Sequence, residues 1–365
     1  MLKSLTFVFC LLVAAPFYGQ QNAYSKVYAK RMLIQLDKNK NGVIDKDDLK
    51  NQWSRFEAND INGDEVISEE EYAKNKTPLL ETKGEKALNI LYKETPEEDL
   101  YLDIYYPENK SATEKLPFVV YTHGGGWFNG SKENITESPV KEPFLELLKQ
   151  GFAVVSINYR LVRHKTVAMR DCVVDAMDAF RYLSKNSNSL GLDANRIFVL
   201  GDSAGGHIAQ MITLADPTKF SGDKKLLKYT YKVVAGVSWY GPSDFTVEKL
   251  FETNDDSKVA NRFGSRIIKS KENKKNKDVM YQEMSPVFYI TKNSPPLYMM
   301  AADNDSTIPV AHAYHMKKKA DAIGANVETF IVKNAGHNWR KAGGDIDPTL
   351  AIITQKTVDF ILKYN

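Results

Sequence analysis

From about Leu88 onward two hydrophobic patterns alternate along the chain. Short, almost unbroken apolar runs stand at 118–122, 153–157, 196–200, 233–239, 296–301 and 327–332. Runs of this length, bounded by turn residues, read as strands covered on both faces, as in a parallel sheet. Between them lie stretches with apolar positions three and four apart, the longest over 169–185 and another over 208–212. That spacing predicts helices burying one side. The alternation argues an α/β fold, a mostly parallel sheet flanked by helices.

The N-terminal part reads differently. Met1-Leu2-Lys3 is a positive start, residues 5–15 are apolar, and Gly19 and Gln20 follow. Residues 1–19 are therefore expected to be an export signal, with an apolar core too short for a permanent membrane anchor. Cys10 lies inside it, so its removal leaves Cys172 alone and no intramolecular disulfide. The expected location is periplasmic or secreted.

Residues 22–78 carry a tandem pattern of oxygen-bearing side chains. Asp37, Asn39, Asn41 and Asp48 occupy positions 1, 3, 5 and 12 of a loop, with Gly42 at 6, the Val43 carbonyl at 7 and Ile44 at 8. Asp60, Asn62, Asp64 and Glu71 repeat it, with the Val66 carbonyl and Ile67 in register. Such loops resemble an EF-hand pair, which implies a small all-α module holding structural calcium, joined through Ile44 and Ile67. Asp48 is shorter than the usual final glutamate, and Glu65 stands where the second loop should have its turn glycine. A connecting helix is expected over 49–58, a linker over 79–87 and the larger domain over 88–365.

Candidate chemistry sits at the ends of the predicted strands. Gly201-Asp202-Ser203-Ala204-Gly205 lies between a strand and a helix, the setting in which a serine is held at the tip of a sharp turn. His123-Gly124-Gly125-Gly126-Trp127 leaves another strand, where glycine backbone N–H groups can converge on a developing oxyanion. Asp303 and Asp305 follow a third strand and Gly336-His337 a fourth. The order Ser, Asp, His past the carboxyl ends of strands predicts a serine hydrolase. Ser203 is the expected nucleophile, His337 its base, and Asp305 the acid that orients the base, with Asp303 the competing carboxylate. His123, His164, His207, His312 and His315 are read as packing, capping or surface residues.

With these residues in view, the region from about Leu88 resembles the hormone-sensitive-lipase side of the α/β-hydrolase superfamily. It is similar to small bacterial carboxylesterases, including acetylxylan and feruloyl esterases and kynurenine formamidases. The motifs are His123–Trp127, Asn158-Tyr159-Arg160-Leu161, Asp193 with Arg196-Ile197, Gly201–His207 and Gly336-His337. The resemblance implies oxyanion donors at Gly125, Gly126 and Ala204, with Gly124 as a substitute. Ala302 stands where relatives carry glycine.

The net charge of +3 over 365 residues gives no reason to invoke nucleic acid. Residues 245–277 are polar and lysine-rich and read as a lid or a surface insertion. Trp127, Trp239, Tyr240 and Trp339 are candidates to line the site. An exported esterase with such aromatics suits acetylated or feruloylated carbohydrate. The alternatives are a kynurenine-formamidase-like or other amide hydrolase, a general carboxylesterase on small esters, and a calcium-dependent binding protein with an inactive hydrolase domain.

Overall fold

The computed structural model describes residues 17–74, 78–110, 113–253, 259, 261–269 and 276–365. The chain divides into two compact units, Met1–Thr77 and Pro78–Asn365. The expected export signal falls outside the described residues apart from its last three positions, which begin the first helix.

The first unit comprises α1 (Phe17–Leu36), β1 (Ile44–Asp45), α2 (Lys46–Leu49), β2 (Val66–Ile67) and α3 (Glu69–Lys74). Ile44 pairs with Ile67 in a two-stranded antiparallel ladder. Both isoleucines are fully buried with Ala29, Leu49 and Tyr72, which makes a small core. The segment expected as one connecting helix instead forms two 3₁₀ turns, Lys50–Arg55 and Glu57–Asn59. Trp53 and Phe56, three apart, both lean on the small core, and a three-residue repeat puts them on one face.

The second unit is built on an eight-stranded sheet in the order β10-β9-β8-β7-β5-β6-β4-β3. Its strands and helices run in chain order: β3 (Lys86–Lys93), β4 (Leu100–Tyr105), β5 (Leu116–Thr122), α4 (Lys141–Lys149), β6 (Ala153–Ile157), α5 (Met169–Asn186), β7 (Leu192–Asp202), α6 (Ala204–Leu214), β8 (Val233–Trp239), α7 (Gly264–Ile267), α8 (Lys277–Glu283), β9 (Leu297–Ala302), α9 (Ala311–Ile323), β10 (Val327–Val332) and α10 (Leu350–Lys363). From β5 to β10 the pairings are parallel, while β4 runs antiparallel to both β3 and β6. Alternate side chains explain the apolar runs. Phe118 and Val120 of β5 face the core shared with α5 and α6, and Val119 and Tyr121 face the one shared with α4 and α10.

The six predicted strands and the helix over 169–185 are present with small shifts of boundary, whereas β3 and β4 are additional. Residues 79–87 are no free linker: Leu80 is buried in the second unit's core and Lys86 opens β3. The chain order reverses at β5, whose neighbours are β6 on one side and β7 on the other. The loops leaving β5 and β7 therefore diverge above adjacent strands, the crevice where open α/β sheets assemble their sites.

Candidate active site

The turn after β7 is dictated by how closely β5 approaches. A Cβ on Gly201 would lie 2.2 Å from the Gly205 carbonyl oxygen, and one on Gly205 would lie 1.9 Å from the Thr122 carbonyl oxygen. With both positions bare, Ser203 stands at the apex with φ 54° and ψ −117°, strain held by its surroundings. Its N–H donates to the Trp239 carbonyl at 2.8 Å, and its own carbonyl accepts from His207 at 3.0 Å.

His337 comes from the turn after β10. Its Nε2 lies 2.9 Å from Ser203 Oγ and its Nδ1 lies 2.7 Å from Asp305 Oδ2. Asp305 is held in turn by the N–H groups of Thr307 and Ile308, both donating to Oδ1 at 2.7 and 2.9 Å. With Nδ1–H donated to the carboxylate, Nε2 faces the serine as an acceptor. Asp303 is engaged elsewhere: its Oδ1 accepts from Asn304 Nδ2 at 2.9 Å and from the Ala335 N–H at 3.4 Å.

The glycine loop after β5 borders the same site. Gly125 and Gly126 have φ 107° and 62°, and a Cβ on Gly125 would strike the Asn129 carbonyl at 2.2 Å. Ala204 opens α6, where the first N–H groups have no intrahelical acceptor. Gly124 is not a substitute donor, because its N–H is spent on Asp202 Oδ1 at 2.9 Å. The Tyr121 hydroxyl donates to the same oxygen at 2.7 Å. Burial pushes the Asp202 carboxyl up, opposed by those two bonds and by the charge of His337.

The other histidines are occupied by structure. The His123 ring stacks on Tyr159 at 4.1 Å, and His207 Nε2 meets the Met284 carbonyl at 2.8 Å. His312 accepts from the Ser243 N–H at 3.2 Å, His315 Nε2 meets Asp244 Oδ2 at 2.9 Å, and His164 lies 3.8 Å from Glu98.

A cavity of about 730 Å³ opens above Ser203 and His337, lined also by Gly124, Gly125, Gly126, Trp127 and Tyr240. A larger surface depression of about 940 Å³ elsewhere on this unit is lined by neither Ser203 nor His337. Trp239 and Trp339 do not line the cavity: Trp239 is fully buried with Nε1 on Thr357 Oγ1, and Trp339 packs edge-on against it. The polar segment over 245–277 contributes buried Phe245, Phe251, Phe263 and Ile267 to the core, and its Arg262, Phe263 and Arg266 reach the cavity wall. Lys271, Lys274 and Lys275 lie outside the described residues. Sequence reasoning missed these arginines. The spacing Asn261-Arg262-Phe263-Gly264-Ser265-Arg266 is the signal it had, a pair of cations at helical spacing around an aromatic.

The two acidic loops of the first unit share one turn. Asp37 accepts from the N–H groups of Lys40, Asn41 and Gly42, and Asp60 from those of Gly63, Asp64 and Glu65. Asp48 accepts from Lys38 and Asn39 as Glu71 accepts from Ile61 and Asn62, so the shorter acid reaches the equivalent place. Glu65 takes φ 67° where the first loop has Gly42 at 90°, so the missing glycine is tolerated as strain. The donors are all oxygen, the chemistry of a hard cation. Among the described residues, no three His, Cys, Asp or Glu side chains converge as a metal-holding group.

Comparison with known proteins fits this geometry. The BD-FAE family matches residues 102–320, more than half the chain. The chain belongs to the BD-FAE family. This BD-FAE chain is 24% identical over 253 residues to esterase LipC of Mycobacterium tuberculosis, covering 68% of this chain and 59% of LipC. It is 25% identical over 290 residues to the probable carboxylesterase 7 of Arabidopsis thaliana, covering 74% and 85%. It spans 59% of LipC and 47% of the probable carboxylic ester hydrolase LipM, about half the length of these curated relatives. Among solved structures, the thermophilic esterase Est2 of Thermogutta terrifontis superposes with TM-score 0.61 at 22% identity, covering 76% of this chain and 91% of that one. A truncated carbohydrate esterase from gut microbiota gives 0.62 at 24% identity, covering 79% and 99%. The BD-FAE chain thus shares the α/β-hydrolase fold of both.

Proposed function

We propose that this chain is a serine carboxylic-ester hydrolase working through an acyl-enzyme. The observation that carries this is the hydrogen-bonded line Ser203–His337–Asp305, set beside the loop N–H groups of Gly125 and Gly126 and the helix-opening N–H of Ala204. Ser203 Oγ attacks the ester carbonyl while its proton passes to His337 Nε2. Asp305 holds the imidazolium that forms, and the three N–H groups receive the new oxyanion. His337 then gives its proton to the departing alkoxide, and water, deprotonated by the same base, releases the acid and restores the serine. Ser203→Ala removes the nucleophile, so ester turnover falls on the order of 10⁶-fold while the melting temperature holds. Turnover retained in that variant would overturn the reading.

Acylated carbohydrate is the proposed substrate class. In support, the cavity is open and partly aromatic, with Trp127 and Tyr240 on its wall. A carbohydrate esterase also stands among its fold neighbours. Acid release from acetylated xylo-oligosaccharides and methyl ferulate, compared with p-nitrophenyl acetate, tests it. Turnover confined to the activated ester would leave a general carboxylesterase. Export of the chain is proposed on the charged and apolar pattern of residues 1–19 alone. Structural calcium in the two loops of the first unit is proposed on their spacing and their shared turn.

A further inference from the structure

One half-buried cation on the wall of the cavity has no hydrogen-bond partner among the described residues. Arg262 spends its guanidinium on the Phe251, Val259, Ser306 and Thr307 carbonyls. Asp202 and Asp305 are engaged as described, Glu137 accepts from Asn134 Nδ2 at 3.0 Å, and Arg340 is an exposed rim residue. Arg266, by contrast, has no hydrogen-bond acceptor or carboxylate for its guanidinium among the described residues. Its flat face rests near Phe263, 4.9 Å from the ring centre, and 6.0 Å from that of Trp127. Burial, and then the charge of Arg262, pull its pKa down.

The guanidinium is also seated. A Cβ on Gly126 would lie 2.8 Å from Arg266 Nη1, so the bare glycine makes the space the cation occupies. Nη1 therefore borders the Cα of Gly126, in the loop that lines the cavity with Ser203. A guanidinium packed on aromatic rings keeps its N–H edge rigid, and that edge matches a carboxylate. Leaving such a donor set unmet in a partly buried place is unfavourable, and an anionic ligand relieves it.

We propose that Arg266 binds a carboxylate carried by the substrate, within a few bonds of the scissile ester, so that the preferred substrates are acidic esters. The proposal rests on the serine-esterase reading. The carboxylate can belong to the acyl half, as in a dicarboxylic half-ester, or to the alcohol half, as in an acylated uronic acid.

Two matched pairs separate these sources: p-nitrophenyl hemisuccinate against p-nitrophenyl butyrate, and acetylated glucuronic acid against acetylated glucose. Each is assayed with the full chain, Arg266→Gln, Arg266→Lys and Ser203→Ala. Arg266→Gln should lower the acid-to-neutral ratio of kcat/KM by about 10- to 100-fold, through KM, with part of the ratio restored by Arg266→Lys. A loss in the first pair places the anion on the acyl half, and one in the second places it on the alcohol half. A ratio unmoved in both pairs, or an equal loss on acid and neutral esters, overturns the proposal. If no ester shows Ser203-dependent turnover, the esterase reading is what fails. Calorimetric titration of succinate and glucuronate then decides the anion site alone: binding lost in Arg266→Gln upholds it, and binding absent or unchanged overturns it.

Discussion

At the scale of single residues, the choice between two neighbouring carboxylates is decided by hydrogen bonds. Asp305 has one oxygen pinned by two backbone N–H groups and the other on His337, so both its position and the imidazole tautomer are set. Asp305→Asn is expected to lower kcat by about 10⁴-fold, because the amide no longer accepts Nδ1–H. Asp303→Asn should leave kcat near wild type. The two variants compared on one ester check this, and the reverse ranking would dismiss the assignment. Ser203 and the glycine turn after β5 were legible in the sequence because each lies in a short motif whose backbone demand small residues meet, and His337 because it follows the last strand directly. Arg266 was not, since nothing local tells a lysine- and arginine-bearing insertion which cation faces inward.

Among the elements, the two loops of the first unit show how the same backbone tolerates different residues. Left-handed positions recur in both, at Lys40 and Gly42 and again at Gly63 and Glu65, with the glycine exchanged between the two sites. A non-glycine residue there costs roughly 1–2 kcal/mol. A bound cation would offset that cost by drawing on the oxygens the turn gathers. Calcium added to chelator-treated full-length chain should release binding heat and raise the unfolding temperature. A titration with neither would remove calcium from the reading. Periodicity made the six buried strands and the 169–185 helix readable, but not β3 and β4, nor the 3₁₀ turns over 50–59, where contact with a small core overrode the expected helix.

On the scale of the whole molecule, burial ties stability to pH. The packed interior drives the pKa of His207 down to about 4 and that of His312 to about 3, the latter helped by the nearby charges of His315 and Arg262. An unfolded histidine titrates near 6.5, so between about pH 6.5 and 4 the unfolded chain binds protons that the folded chain refuses. Stability therefore falls as pH drops through that window, by about 3 kcal/mol for His207 and a comparable or larger amount for His312. Thermal unfolding from pH 8 to pH 4.5 should show this loss, with a shallower slope in His207→Gln. A flat profile would show that these side chains are not buried neutral.

The sequence by itself determined the strand-and-helix alternation, the elbow serine, the glycine turn after β5 and the Ser-Asp-His order, because each depends on near neighbours along the chain. Only the tertiary structure decided that Gly124 is consumed by Asp202, that residues 79–87 join the second unit and that Trp239 and Trp339 leave the cavity. It also brought Arg266 of the insertion against Gly126, 140 positions away in the chain. Such facts turn on which distant segments share a face, and hydrophobic periodicity records that a face is buried without recording what lies against it.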